Sequence, residues 1–153
     1  MASFREAANA DAESILVLQR AFYAEDGYPF FEREAREVLS RLLGDPSLGR
    51  VWVATHDSAV VAYVVLTLSY SLEYRGRDAF IDELYVAEPH RGRGLGTLAL
   101  RIVQDACVEQ GVRVLHLEVE RNKAAAIAWY RRSGFADRSR YLLTKDLSSR
   151  RLP

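Results

Sequence analysis

The stretch from Val86 to Thr97 limits the possible folds more than any other part of this 153-residue chain. An apolar run ends at Val86. An amphipathic pattern begins near Gly94, with Leu95, Leu98, Ala99, Ile102, Val103 and Ala106 forming one stripe. Between the two lies Arg91-Gly-Arg-Gly-Leu-Gly-Thr97, which places Gly92, Gly94 and Gly96 at alternating positions. With no β-carbons in the way, successive free N–H groups at a helix N-terminus make a cradle for phosphate oxygens, and the helix dipole adds to the attraction. Arg91 and Arg93 bring positive charge beside it. The expectation is a strand, an anion-binding turn and a helix, in that order.

Two nucleotide folds compete for this segment. A Walker loop is excluded, because no Gly-x-x-x-x-Gly-Lys-Ser/Thr occurs. A Rossmann fingerprint fits the letters, since Gly94-x-Gly96-x-x-Ala99 is present and Glu118 or Glu120 follows at the end of the next strand. Placement argues against it. In a Rossmann unit the first glycine follows its strand almost at once and the unit opens the domain. Here Pro89 and two arginines intervene, a hairpin comes first, and the remaining chain is too short for a second mononucleotide half.

The rest of the chain reads as elements around this unit. Phe4 to Ala8 suits a first strand, after which Asn9 or Asp11 can cap a helix carrying Ile15, Leu16, Leu18, Ala21 and Phe22. Gly27 and Pro29 stop it. A second helix is expected over Glu32 to Leu43, and two β-branched runs, Arg50 to His56 and Ala59 to Leu68, meet at a hairpin turn at Asp57-Ser58. A third long strand covers Ala79 to Val86. After the helix ending near Gly111, Val112 to Val119 reads as a strand parallel to it, because a helical crossover joins them. A shorter helix from about Lys123 to Ser133 and a terminal hairpin within Phe135 to Leu147 complete a mixed α/β sandwich, and 148–153 reads as a frayed tail.

Composition narrows the class further. Hydrophobic residues make up 49% and charged residues 27%, which suits one compact domain over 1–153. No leader-like or bilayer-length apolar stretch is visible, so a cytoplasmic protein without a membrane partner is expected. Cys107 stands alone inside a helical apolar pattern, which points to a core residue, and no Cys-based metal site is expected. Residues 1–74 carry 11 acidic and 6 basic side chains, and 75–153 carry 10 and 15. The second half thus suits an anionic ligand and the first a cationic one. No dense basic run or aromatic platform speaks for nucleic acid.

Leu84-Tyr-Val86, Arg91-Gly-Arg-Gly-Leu-Gly96, Leu117-Glu-Val119, Ala126-Ile-Ala-Trp-Tyr130 and Gly134-Phe135, in this order, resemble the GNAT superfamily of acetyl-CoA-dependent N-acetyltransferases. The second segment matches Arg/Gln-x-x-Gly-x-Gly/Ala. The resemblance implies the acyl-CoA N-acyltransferase fold: a mixed, mostly antiparallel sheet with a splayed parallel pair and helices on both faces. It implies acetyl-CoA as cosubstrate, with pantetheine along Leu84, Tyr85 and Val86 like an added strand. The pyrophosphate would lie on Gly92, Arg93, Gly94, Leu95, Gly96 and Thr97 beside Arg91.

The implied reaction is direct acetyl transfer to a primary amine. An alkyl amine has a pKa near ~10.4, so its neutral form is scarce at pH 7, a handicap on the order of 4 to 5 kcal/mol. Asp82 and Glu83 stand where similar acetyltransferases carry a base, often acting through water, and strand alternation directs them to opposite faces. Glu118 is the reserve, sharing a strand face with His116, for which a structural role is the simpler reading. Tyr130 stands where the family carries its general acid. The family usually has Asn where this chain has Lys123, so whether the neighbouring Asn122 takes over that cofactor contact stays open.

Acceptor recognition in the superfamily comes largely from the first two helices and the connection before the third long strand. Here these offer Glu25, Asp26, Tyr23, Tyr28, Phe30 and Phe31, then Tyr70, Glu73 and Tyr74. Carboxylates with aromatic faces suit a small cationic amine, amino sugar or amino acid. The alternative is a non-catalytic acyl-CoA-binding or interaction module with the same fold. Many similar proteins are dimers, which leaves a homodimer open.

Overall fold

The computed structural model describes residues 2–149. They divide into two compact units, one reaching Leu117 and the other starting at Glu118.

The first unit is built on a five-stranded sheet in sequence order: β1 (Ser3–Glu6), β2 (Gly49–His56), β3 (Ala59–Ser71), β4 (Gly76–Val86) and β5 (Val114–Leu117). The first three junctions are antiparallel and β4 pairs with β5 in parallel. Asp57 and Ser58 adopt φ of 48° and 66°, the left-handed pair that closes a two-residue hairpin with the twist of its strands. β3 and β4 run longer than the apolar pattern indicated, because pairing continues to Ser71 opposite Gly76.

β1 is shorter than expected, and Asp11 shows why. Its carboxylate accepts from the Ala8 N–H at 2.7 Å and from the Arg5 guanidinium at 2.7 and 2.8 Å, bending the chain into a 3-10 turn over Asn9–Asp11. The expected helix cap is thereby spent on the turn before the helix, and Asp11 gives no side-chain cap to the first turn of α1 (Ala12–Asp26). Gly27, at φ 72°, ends α1.

Helices cover both faces of the sheet, as the resemblance implied. α1 and α2 (Glu32–Gly44) set Ile15, Leu16, Leu18 and Leu39 against Val51, Val53, Tyr63, Val65 and Tyr85. These side chains alternate along β2, β3 and the end of β4, as one face of a sheet requires. α3 (Leu95–Glu109) lies on the other face, where Leu95 joins Ala54, Val61 and Ala62. Cys107 is buried on α3, and burial pushes its thiol up to about 11.

Two features of β4 shape the site. A register shift opposite Val65 and Leu66 pairs them with Glu83 and Ile81, so Asp82 is the extra residue of a β-bulge. The parallel pairing with β5 also ends at Ile81 opposite Leu117. Beyond the bulge β4 is paired, among the described residues, with β3 alone.

In the second unit, α4 spans Ala124–Arg132 and ends on Gly134 at φ 96°, with the Phe135 N–H donating to the Tyr130 carbonyl at 3.0 Å. The expected terminal hairpin is absent: no residue from 135 to 149 lies in a strand. Asp137 accepts from the Ser139 N–H at 2.7 Å, and Ser139 adopts φ 53°, a local turn that competes with extended pairing. The segment is also leucine-rich, with Thr144 its single β-branched residue and no Asn-Gly or Asp-Gly turn. The expected tail falls outside the described residues from 150 on.

Candidate active site

Past the bulge, Glu83 and Tyr85 point to the face covered by α1, while Leu84 pairs with Val64 and Val86 with Ala62. Glu83 is the centre of a polar cluster within that otherwise apolar layer. Gln19, on α1, donates through Nε2 to Glu83 Oε1 at 2.7 Å, and the Tyr63 hydroxyl stands 3.5 Å from the same oxygen. Burial pushes the Glu83 carboxyl up to about 7; donors on Gln19, Tyr23 and Tyr63 pull it down, and the charge of Asp82 adds to the rise. Burial and the same carboxylate in turn raise the Tyr23 and Tyr63 phenols, which remain proton-bearing donors. A base poised near neutrality matches the protonation state it needs with the strength it needs.

Asp82 and Glu83 do not divide between opposite faces by simple alternation, because the bulge breaks the period between Ile81 and Glu83. Asp82 retains solvent contact, desolvation raises its carboxyl too, and its charge is felt by Glu83, Tyr23 and Tyr63. Glu118 is exposed and opens the second unit. His116 lies 3.1 Å from buried Asp78, which also accepts from Ser69 Oγ at 2.7 Å, and the Tyr74 and Phe80 rings flank it.

The glycine turn has the expected form. Gly92 and Gly94 adopt φ of 73° and 81°, and open space lies where a β-carbon would stand at each. Leu95, buried, starts α3; Gly96 and Thr97 follow in its first turn, to which the N-cap Gly94 gives no side-chain cap and which holds no acid. Uncapped N–H groups on an open, acid-free first turn fit a pyrophosphate. Arg93 borders a cavity of about 210 Å³ beside the turn, with Ala2, His56, His90, Gly94, Leu95 and Leu98.

Arg91 is engaged differently from the expectation. Its Nε donates to the Val86 carbonyl at 2.8 Å, and its Nη2 lies 2.9 Å from both oxygens of Glu25, on α1. Tyr85, stacked on Phe22 at 5.3 Å, donates its hydroxyl to Glu25 at 2.8 Å. The charge of Arg91 is thus offset by an acid that the sequence reading set aside for the acceptor. The aromatic residues after α1 also have partners: Tyr23 meets Tyr28 and Phe30 edge to face, and Arg20 covers the Phe30 ring at 5.2 Å.

Within the second unit, Tyr130 lies on α4 against Trp129 at 4.7 Å and Phe135 at 5.8 Å, and burial raises its phenol. Asn122 is exposed in the turn before Lys123, the residue preceding α4. Sequence reasoning missed Gln19 and Tyr63. The available signal for Gln19 was a polar residue four positions from Ile15 and from Tyr23, on the inward stripe of a helix.

The acetyltransferase (GNAT) family model matches residues 13–135, and the chain belongs to that family. It is 26% identical over 129 residues to thialysine N-epsilon-acetyltransferase of Bos taurus, a match covering 82% of this chain and 69% of that protein. Streptothricin acetyltransferase of Streptomyces lavendulae is 45% identical over 56 residues, which is 37% of this chain and 30% of that enzyme. Among solved structures, an integron cassette protein from the mobile metagenome of Cole Harbour Salt Marsh superposes with a TM-score of 0.87 at 35% identity, covering 96% of this chain and 91% of its own. A predicted acetyltransferase from Clostridium acetobutylicum, solved with acetyl-CoA, shares the fold at a TM-score of 0.81 and 18% identity, over 95% of this chain and 96% of its own.

Proposed function

We propose that this chain moves an acetyl group from acetyl-CoA to a small primary amine, with Glu83 as the base. The observation that carries the reading is the Glu83 carboxyl, held by Gln19 and Tyr63 and raised to about 7. When bound, acetyl-CoA supplies a thioester-activated acetyl group. The first turn of α3, with Gly92 and Gly94 before it, holds the pyrophosphate through backbone N–H groups, and Arg93 adds charge. Leu84, Tyr85 and Val86, in the part of β4 past its pairing with β5, offer a backbone edge to pantetheine.

Glu83 takes the proton that keeps the amine non-nucleophilic, with the carboxylate of Asp82 nearby to favour a cationic acceptor. Tyr130, a phenol kept protonated by burial, supplies the proton that the departing thiolate needs. Acetylation of thialysine at Nε by a relative supports an amine nitrogen as acceptor.

The test is thiol release from acetyl-CoA across a panel of diamines, amino sugars, amino acids and a lysine peptide. Turnover is expected with at least one small cationic amine and to be weaker with the peptide. Tight acetyl-CoA binding with no turnover on any amine would make the chain a binding module instead.

A further inference from the structure

The side-chain carbonyl of Gln19, Oε1, is buried and has no hydrogen-bond partner among the described residues, while the other end of the same amide holds Glu83 at 2.7 Å. A buried polar atom left unpaired costs about 1–3 kcal/mol, and such atoms are rare away from functional sites. An amide whose only task was to fill this space would be better replaced by an apolar side chain. One whose only task was to hold a carboxylate would be bettered by a cation. Neither alternative serves a carboxyl group that alternately lacks and carries a proton.

We infer that Gln19 is the positioning residue for Glu83 in both of its protonation states: Nε2 donates to the carboxylate, and after a half-turn of the amide Oε1 accepts from the carboxylic acid. The inference rests on the proposed role of Glu83 as base. Rotation of a terminal amide is soft and roughly two-fold, so the exchange needs no change in backbone. No bond between heavy atoms forms or breaks; the proton arrives on Glu83 from the amine, and the amide follows it.

The groups facing Glu83 are consistent with this. From α1 come Gln19 and Tyr23, from β3 Tyr63, and from its own strand Asp82. The two phenols stay protonated and their oxygens accept more weakly than an amide carbonyl, and the aspartate offers no donor when ionised, so of these four the amide exchanges donor for acceptor at the least loss. A Glu83 that titrates near neutrality visits both states within the working range of the site.

The direct test uses the unsubstituted protein, isotopically labelled, and needs no turnover. The Gln19 side-chain NH2 resonances are expected to shift with the same midpoint as the Glu83 carboxyl carbon. Gln19 resonances that stay flat through the Glu83 titration would overturn the inference, whether or not the chain proves to be an acetyltransferase. Two variants divide the roles. Gln19→Met, nearly isosteric and free of the unpaired oxygen, is expected to keep or raise the melting temperature while moving the Glu83 midpoint up by about one unit, the size of a charge-assisted hydrogen bond. A Gln19→Met protein with an unmoved midpoint would contradict the donor half. Gln19→Lys, a donor only, is expected to lower the midpoint yet reduce kcat on the acid it can no longer accept from; full kcat in that variant would contradict the acceptor half.

Discussion

A carboxyl group that keeps its proton up to about pH 7 in the folded chain takes stability from the fold wherever it ionises. Below its ordinary value of 4.5, Glu83 is neutral in both folded and unfolded chains. Between 4.5 and about 7 the unfolded chain gives up the proton while the folded one retains it, so the stability linked to Glu83 is full at low pH and is lost as pH rises through about 7. Glu83→Gln is therefore expected to be more stable than the parent at pH 8, by on the order of 2–3 kcal/mol, with little difference at pH 4.5. Paired denaturant melts at the two pH values check this, and a difference that does not grow with pH would deny the burial of that carboxyl. Its partners were not legible in the sequence. Gln19 and Tyr63 are separated from Glu83 by 64 and 20 positions, and no local pattern tells which polar side chains a fold will bring together. The same holds for Arg91, whose guanidinium finds Glu25 66 positions away.

Strands β2 and β3 approach so closely that a β-carbon on Gly49 would collide with the backbone carbonyl of Leu66. Backbone cannot move aside as a flexible side-chain end can, so Gly49→Ala is expected to cost at least about 1–3 kcal/mol by overpacking. A chemical-denaturation midpoint unchanged from the parent would show that this junction is looser than its geometry. Elements marked by local punctuation were legible in advance: Gly27 closes α1, Asp57-Ser58 closes the β2–β3 hairpin, and the glycine turn opens α3. The bulge at Asp82 was not. It inserts one residue without any change in composition, and it turns Glu83 to the α1 face, whereas strict alternation counted from Ile81 would have put it on the opposite one. The terminal hairpin was over-read for the converse reason, since apolar content at Tyr141, Leu142 and Leu143 stood in for a strand signal without β-branched residues or a closing turn.

Across the chain, the family match over residues 13–135 spans the glycine turn, the bulged strand and α4. The charge contrast between the halves of the sequence is partly offset in the fold, because Arg91 of the second half pairs with Glu25 of the first. On the proposed reading, Glu83 is the group that receives the amine's proton near neutrality, and a binder with the same architecture would not need it. The measurement that bears on it most directly is the pH dependence of kcat/KM for acetyl transfer to the best amine of the panel, in the parent and in Glu83→Gln. The parent is expected to show an acid limb with a midpoint near 7. Glu83→Gln is expected to lose that limb along with a factor of about 10² to 10⁴ in rate while acetyl-CoA affinity stays the same. A Glu83→Gln enzyme that keeps both the rate and the limb would place the base elsewhere and contradict the account.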